Sequence, residues 1–517
     1  TGKGTASSAT GCEITAEGLN NYYSSVSTDS AYVRPMFRDT CTDGRDTADL
    51  ISEETVFYYL EKIKRTASGP DGLSYWFLKL GAPAVSIPVR HIYNLSISNS
   101  YVPKQFKCAV ITPVPKVSNP QSCSDFRPIS LTPILARVLE KHMTKIYLYP
   151  AIAAPTVFPV YNDQYAFRPT GSTEAAIIAI LHHVSLLLTS SKYVRVISLD
   201  FSKAFDTVRH ASIADSLSRL PLKDSIFNWF INYFDSHCHS TNFKGQISNP
   251  LSINAGVFQG SAVGPPLFLI NGCELKPKFS QNYLDKYADD SYLIVGASNE
   301  GTVLEELAAI EKWAIANNMK LNQAKSKEMI FYNSKKALAS ISAIPVTQGL
   351  ERALTLKILG ITIKGDFSIE DHVSNICNKA SQNFYVLKIL RNSGLLKEQL
   401  FQVFNALVVS KMAYAASSWS GLLTQNQIAK LQSVLNKAVR WGFTNEQSVV
   451  SLFTDSDTRL FENILKNNKH VLHHLLPPVK ETPYHLRAST SHGRLLPIKN
   501  NLLEKNFLIR MLYKDVA

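Results

Sequence analysis

The segment Tyr283-Leu284-Asp285-Lys286-Tyr287-Ala288-Asp289-Asp290-Ser291-Tyr292-Leu293-Ile294-Val295 decides the reading of this 517-residue chain. Two β-prone runs, Tyr283 to Tyr287 and Tyr292 to Val295, flank the pair Asp289-Asp290. Turn-type residues between two such runs predict a hairpin with carboxylates at its tip. Earlier, Val194 to Leu199 is an apolar, β-branched run that ends on Asp200, and a helix is predicted from about Phe205 to Leu217. Aspartates placed so bring like charges together, which disfavours ionisation unless a cation is shared. Two divalent ions roughly 4 Å apart would supply that cation, activate a hydroxyl and neutralise a phosphate substrate. Without such surroundings, an adjacent aspartate pair is more simply a solvated turn.

Working outward, the first fifty or so residues are rich in Ser, Thr and Asp, with one helical stretch near Leu19 to Val26, and read as a linker or extension. Glu53 to Lys64 has helical periodicity and leads into the turn cluster Ala67-Ser68-Gly69-Pro70-Asp71-Gly72. Between Val110 and Val208, short apolar runs alternate with helical segments. After about Asp371 the pattern is all helix: Val373, Ile376, Ala380, Phe384 and Leu387 share a face. Leu400, Val403, Phe404, Leu407 and Val408 share another, as do Leu431, Val434, Leu435 and Ala438. Three amphipathic helices with basic outer positions predict a separate small bundle.

Composition narrows the function class. The length suits about three or four domains, and a 45% apolar fraction suits a buried core. The formal charge of +13 favours a polyanionic partner. From His372 to Asn445 there are eight Lys or Arg against one acid, Glu398, as expected of a surface lying along a phosphate backbone. Seven scattered cysteines, with no CxxC and no Cys/His cluster, read as reduced thiols and argue against a zinc site. No apolar run approaches the roughly 20 residues of a membrane span, so no membrane partner is expected. No signal peptide is visible, and the opening Thr1 in place of Met suggests a piece of a longer protein.

Nine boxes, in order, carry a family resemblance. Tyr287-Ala288-Asp289-Asp290 resembles the YADD box of reverse transcriptases, and Val196 to Asp206 (VISLDFSKAFD) resembles the strand bearing their first catalytic aspartate. Ser68 to Gly72 resembles the "GPDG" box of non-LTR retrotransposons; Ile111 to Lys116 (ITPVPK) and Asp125 to Leu131 (DFRPISL) resemble the next finger boxes. Gln164 to Ser172 (QYAFRPTGS) and Gly256 to Phe268 (GVFQGSAVGPPLF) are similar to "GFRxGxS" and "GxPQGSxLGPxLF". Trp313 to Lys327 (WAIANNMKLNQAKSK) resembles the box ending "LNxxKT", and Lys357 to Ile363 (KILGITI) the primer-grip hairpin. The helices to Arg440 resemble the thumb, and Tyr484-His485-Leu486-Arg487 onward to Arg510 resembles the tail of jockey- and chicken-repeat-type elements. Departures are Phe258 where the family has Pro, Pro266 where a larger apolar residue is frequent, INGCELKPKF in place of "INDL", and Leu512 to Ala517 in place of the usual ending.

The resemblance implies an α+β right-hand polymerase with an antiparallel palm sheet. The expected divisions are 1–52 extension, 53–193 fingers, 194–365 palm, 366–445 thumb and 446–517 C-terminal extension. Asp200, Asp289 and Asp290 would hold two Mg2+ ions, with Mn2+ as a substitute. Lys325 matches the general acid for pyrophosphate, with Lys327 two residues away as the alternative. Phe205, five residues after Asp200, would exclude a ribose 2′-hydroxyl, or is alternatively a core residue of its helix. Arg127 and Lys116 would bind the triphosphate, although finger loops of any basic protein carry such residues. Gln259, Gly260 and Ser261 would support the nascent base pair, and Arg168 would order the fingers against template. Implied partners are an RNA template, a DNA primer or target and dNTPs, with an endonuclease on an upstream segment. The life cycle implies cytoplasmic assembly and nuclear action. The rival readings are a group II intron maturase-type polymerase and a catalytically dead or domesticated RNA-binding copy.

Overall fold

Tyr193–Leu199 is rich in Val and Ile and is flanked by strands on both sides, so nearly every side chain along it is covered. A computed structural model describes residues 14–39, 50–333, 341, 343–480, 492–498 and 500–514 of the chain. Its strands are β1 (Cys108–Pro115), β2 (Phe126–Leu131), β3 (Tyr193–Leu199), β4 (Cys238–Phe243), β5 (Gln246–Ile247), β6 (Leu251–Ser252), β7 (Tyr283–Tyr287), β8 (Asp290–Gly296), β9 (Lys327–Tyr332), β10 (Glu351–Arg352), β11 (Thr355–Ile358) and β12 (Ile361–Lys364). The chain divides into two compact units. One comprises Thr1–Tyr161, Ser202–Glu274 and Lys312–Lys320; the other comprises Asn162–Phe201, Leu275–Glu311 and Leu321–Ala517. This division does not follow contiguous boundaries. Residues 162–193, read from sequence as fingers, group with β3, while 202–274, read as palm, group with β1.

In the first unit the sheet order is β2-β1-β4-β5, with β6 also on β4. β1 runs antiparallel to β2 and parallel to β4. The stretch read as a linker contributes the helix Ala16–Val26, started by Thr15, whose hydroxyl accepts from the Gly18 N–H at 3.0 Å. Its Leu19 and Tyr23 pack on Ile111 and Phe126. Buried Asn20 ties the helix to β4, accepting from His239 Nδ1 at 2.8 Å and Thr241 Oγ1 at 2.9 Å.

In the second unit the order is β10-β9-β3-β8-β7, with β3 antiparallel to both neighbours. The helix Thr173–Leu187, capped by Ser172, lies against this sheet through Ile177, Ile180, Leu181 and Val184. Its other side packs on Phe461, Ile464, Phe507 and Leu508, so it is apolar all round. The hairpin β11–β12 turns at Leu359-Gly360, both at positive φ (45° and 99°), as a tight primed turn requires.

The predicted helical faces are present on Glu370–Asn392, Lys397–Phe404 and Gln425–Arg440. The expected separate bundle is corrected. Val373, Phe384, Leu400 and Leu431 belong to one continuous cluster with Ile358 and Ile363 of the hairpin and Met329 and Phe331 of β9. Some of the basic residues there serve packing. Lys388 and Lys437 lie 4.1 and 4.6 Å from the Trp441 ring centre, and Arg391 donates to the Trp441 carbonyl. Tyr484 to Arg487 lie outside the described residues, whereas Arg510 pairs with Asp457. No helix among the described residues is long and apolar enough to cross a membrane.

A buried ion cluster locks β3 to β9. Arg195 (1% exposed) pairs with Glu328 (0%) and Glu300, and donates to Thr347 Oγ1 at 2.9 Å. Arg352 reaches Glu328 Oε1 from the β10 side at 2.8 Å. Removing one member leaves an uncompensated buried charge, at a cost of about 3–5 kcal/mol. Glu328→Ala is expected to lower the urea midpoint of the second unit accordingly, while Arg127→Ala, on an exposed strand position, leaves it in place.

Candidate active site

The antiparallel register builds the carboxylate cluster. β3 and β8 pair Val194 with Gly296 through to Leu199 with Ser291. Continued by one residue, that register sets Asp200 opposite Asp290, where strand neighbours stand roughly 4.5–5.5 Å apart at Cα. β7 and β8 form the predicted hairpin, closed by the pair Tyr287–Asp290 with Ala288 and Asp289 as its turn. Ala288 sits at φ +58°, a left-handed conformation that side chains disfavour.

The Asp200 backbone is held on both sides. Its N–H donates to Ser326 Oγ at 3.2 Å, and its carbonyl accepts from the Asn322 N–H at 2.7 Å. The Ser326 hydroxyl in turn donates to the Asn322 carbonyl at 2.9 Å. Lys325, with a 71% exposed side chain, places Nζ 3.9 Å from Asp200 Oδ2. Lys327 pairs with Glu351 at 3.0 Å instead, which separates the two lysines that spacing left open.

Negative charge accumulates at this cluster. The Asp290 residue faces solvent, yet protein crowding its carboxyl, together with the Asp289 and Asp200 charges, pushes it up to about 6. Asp289 is also raised, by burial first and then by Asp200, against the opposing effect of a backbone hydrogen bond. Hard carboxylate oxygens fit Mg2+ or Mn2+ in their chemistry. Among the described residues no three His, Cys, Asp or Glu side chains already converge as a metal cage.

The nucleotide-binding candidates lie in the first unit. Phe205 is half-buried and stacks on Phe268, with ring centres 4.3 Å apart. Its carbonyl accepts from the Val257 N–H at 2.8 Å. Gln259 donates through Nε2 to Asp206 Oδ1 at 2.7 Å, and its carbonyl accepts from the Ser130 N–H at 2.9 Å. Gly260 lies at φ +138°, where an added Cβ would fall 2.4 Å from the Ser130 carbonyl oxygen, so only glycine lets this turn rest on β2. Arg127 stands exposed on the same strand, without an ion-pair partner among the described residues. Lys116 is exposed too, and donates to the Ser124 carbonyl at 2.7 Å.

Two of the residues singled out from sequence are buried. Ser261 is 5% exposed, and its hydroxyl accepts from the Gly264 N–H at 2.9 Å at the start of helix Gly264–Gly272. It therefore shapes the turn from beneath. Arg168 is 6% exposed and donates to the Gln164 carbonyl, so it braces its own loop. The departures at 258 and 266 find reasons: Phe258 stacks on buried His237 at 4.6 Å, and Pro266 occupies the first turn of its helix, where proline is tolerated. Ser326, Asn322 and Gln164 are site residues that the sequence reading missed. All three stood within quoted boxes, but each acts through hydrogen bonds to backbone groups of residues distant in sequence or in a turn, which local pattern does not show.

Residues 114–363 match the family model "Reverse transcriptase (RNA-dependent DNA polymerase)". The chain is 22% identical over 424 residues to the probable RNA-directed DNA polymerase from transposon X-element of Drosophila melanogaster, covering 79% of this chain and 44% of that protein. It is 22% identical over 417 residues to the RNA-directed DNA polymerase from mobile element jockey of Drosophila funebris, covering 76% and 44%. The chain thus spans less than half the length of these curated relatives. Among solved structures it is similar to telomerase from Candida albicans in complex with a fragment of telomeric RNA, at a TM-score of 0.42 and 11% identity, covering 69% of this chain and 68% of that one.

The raised Asp290 carboxyl gives a pH dependence with a defined sign. Below about 6 it holds a proton that a metal ion must displace. Mn2+ titrations followed by electron paramagnetic resonance should need about tenfold more metal per pH unit below 6 for the one proton displaced, and level off above about 7. Asp290→Asn is expected to weaken binding at neutral pH and to flatten this slope.

Proposed function

We propose that this chain, a reverse transcriptase of the non-LTR retrotransposon kind over residues 114–363, copies RNA into DNA by two-metal nucleotidyl transfer. The observation that supports the reading is the β3–β8 register, paired as far as Leu199 with Ser291 and so leading directly into Asp200 and Asp290, beside a turn bearing Asp289. When bound there, Mg2+ or Mn2+ supplies Lewis-acid activation of a primer 3′-hydroxyl and neutralises the triphosphate. Asp200, Asp289 and Asp290 hold the ions. Lys325, beside Asp200, donates a proton to the departing pyrophosphate. Arg127 and Lys116 bind the triphosphate, Gln259 and Gly260 form the floor under the nascent base pair, and Ser261 fixes that floor from below. The ring of Phe205, fixed by stacking on Phe268, excludes a ribose 2′-hydroxyl.

The template is element RNA, and the primer is a DNA 3′-end at a nicked target. An endonuclease on a further segment would make the nick. The fingers, palm and thumb correspond to 53–193, 194–365 and 366–445 in sequence. Cytoplasmic assembly and nuclear action follow from such a cycle.

On poly(rA)/oligo(dT) with Mg2+, the chain should incorporate dTTP, and Asp289→Asn with Asp290→Asn should abolish incorporation. Tight, salt-sensitive RNA binding without incorporation by either protein would mark a catalytically dead copy. Incorporation that survives the double substitution would place the catalytic centre elsewhere. Phe205→Ala is expected to raise the use of UTP relative to dTTP by on the order of tenfold or more, read from the ratio of kcat/KM values.

A further inference from the structure

We propose that Gln164 is a positioning residue, which holds the Ala288-Asp289 turn in the conformation the metal-binding carboxylates need; this rests on the polymerase reading above. Gln164 is 0% exposed and makes an isolated parallel bridge with Lys286. Its Oε1 accepts from the Ala288 N–H at 3.0 Å and from the Ala166 N–H at 3.1 Å, while Nε2 donates to the Ala288 carbonyl at 3.3 Å. One side-chain amide therefore partners both backbone groups of a single residue, as a neighbouring strand would. These contacts also fix the orientation of the carboxamide, because the Ala288 and Ala166 N–H groups need an acceptor and the Ala288 carbonyl needs a donor.

Ala288 is the residue that requires holding. At φ +58° its Cβ is crowded, and glycine is the ordinary occupant of such a position. Nothing intrinsic to alanine favours this turn, so its conformation depends on what surrounds it. The surroundings are built from the Gln164 segment. The Lys286 N–H donates to the Asp163 carbonyl at 2.7 Å, and the Tyr165 N–H donates to the Lys286 carbonyl at 2.9 Å. The buried Lys286 ammonium pairs with Asp163 at 3.1 Å. Only a neutral group with both a donor and an acceptor, at this length, satisfies Ala288. A carboxylate would turn an acceptor towards its carbonyl and add charge beside Asp289, and Asn would fall short by one methylene.

The test uses Gln164→Met, Ala288→Gly and the two combined, since glycine adopts the left-handed turn without help. Gln164→Met should lower kcat for dTTP on poly(rA)/oligo(dT) by on the order of ten- to a hundredfold through misplaced carboxylates. KM should stay within about twofold, since nucleotide contacts are untouched. The same variant should weaken Mn2+ binding and speed amide exchange at 286–291. Ala288→Gly alone should act mildly, and in the double variant it should restore most of kcat and Mn2+ affinity. Gln164→Asn, which keeps the carboxamide, gives the same comparison should the Met variant not fold. Full activity in Gln164→Met overturns the proposal, as does a loss that glycine at 288 does not relieve, which would mark a residue needed only for stability. If the unsubstituted chain incorporates no nucleotide, the polymerase reading fails, while Mn2+ affinity and amide exchange still decide the role of Gln164.

Discussion

Strand register governs this protein more than any single contact does. Because side chains alternate across a sheet, a slip of one residue between β3 and β8 would turn Asp200 away from Asp290 and move every buried Val and Ile of β3 to the opposite face. The register is therefore defended several times over. The helix Thr173–Leu187 covers the apolar face, and the Arg195–Glu328 pair joins β3 to β9 from within. Asn322 and Ser326 bind the strand end at the aspartate itself. The proposed chemistry depends on this, because reacting groups misplaced by about 1 Å forfeit much of their effect.

The same arrangement sets a cost. Burial and neighbouring negative charge at the strand ends raise Asp289 and Asp290, and the Asp290 carboxyl bears it most plainly. The fold tolerates this because the cluster sits at the ends of strands whose apolar side chains are buried. Apolar burial at β3 and compensated charge at Arg195 stabilise the unit, so that unfavourable charge can persist where a cation is to be bound. The nucleotide half follows another rule, that of close backbone approach. Gly260 rests on the Ser130 carbonyl, and Gly256 touches the Asp206 backbone, where an added Cβ would fall 2.4 Å from the carbonyl oxygen.

Much of this was legible from the amino acids. The hairpin around Asp289-Asp290 and the strand before Asp200 showed as local pattern, and charged residues at strand ends invited a chemical reading. What stayed hidden depended on distant partners. Gln164 acts across 124 positions, so no window around it exposes its role. Ser261 reads only as a small residue in a turn until the start of the helix at Gly264, from whose N–H its hydroxyl accepts, is known. Amphipathic periodicity after Asp371 showed that faces were buried but not against what, and the faces proved continuous with β9, β11 and β12. Net charge also gave no sign that Lys388 and Lys437 lie beside the Trp441 ring.

The helix Thr173–Leu187 has a consequence for evolution by truncation. One side of it supports β3, and the other is covered by Phe461, Ile464, Phe507 and Leu508 from the last seventy residues. Those residues lie beyond position 363, where the family match ends, yet they back β3 at second hand. A copy shortened at its 3′ coding end would keep every recognisable box up to the hairpin β11–β12 and still lose the backing of its central strand. Such a lineage would preserve its signature longer than its fold.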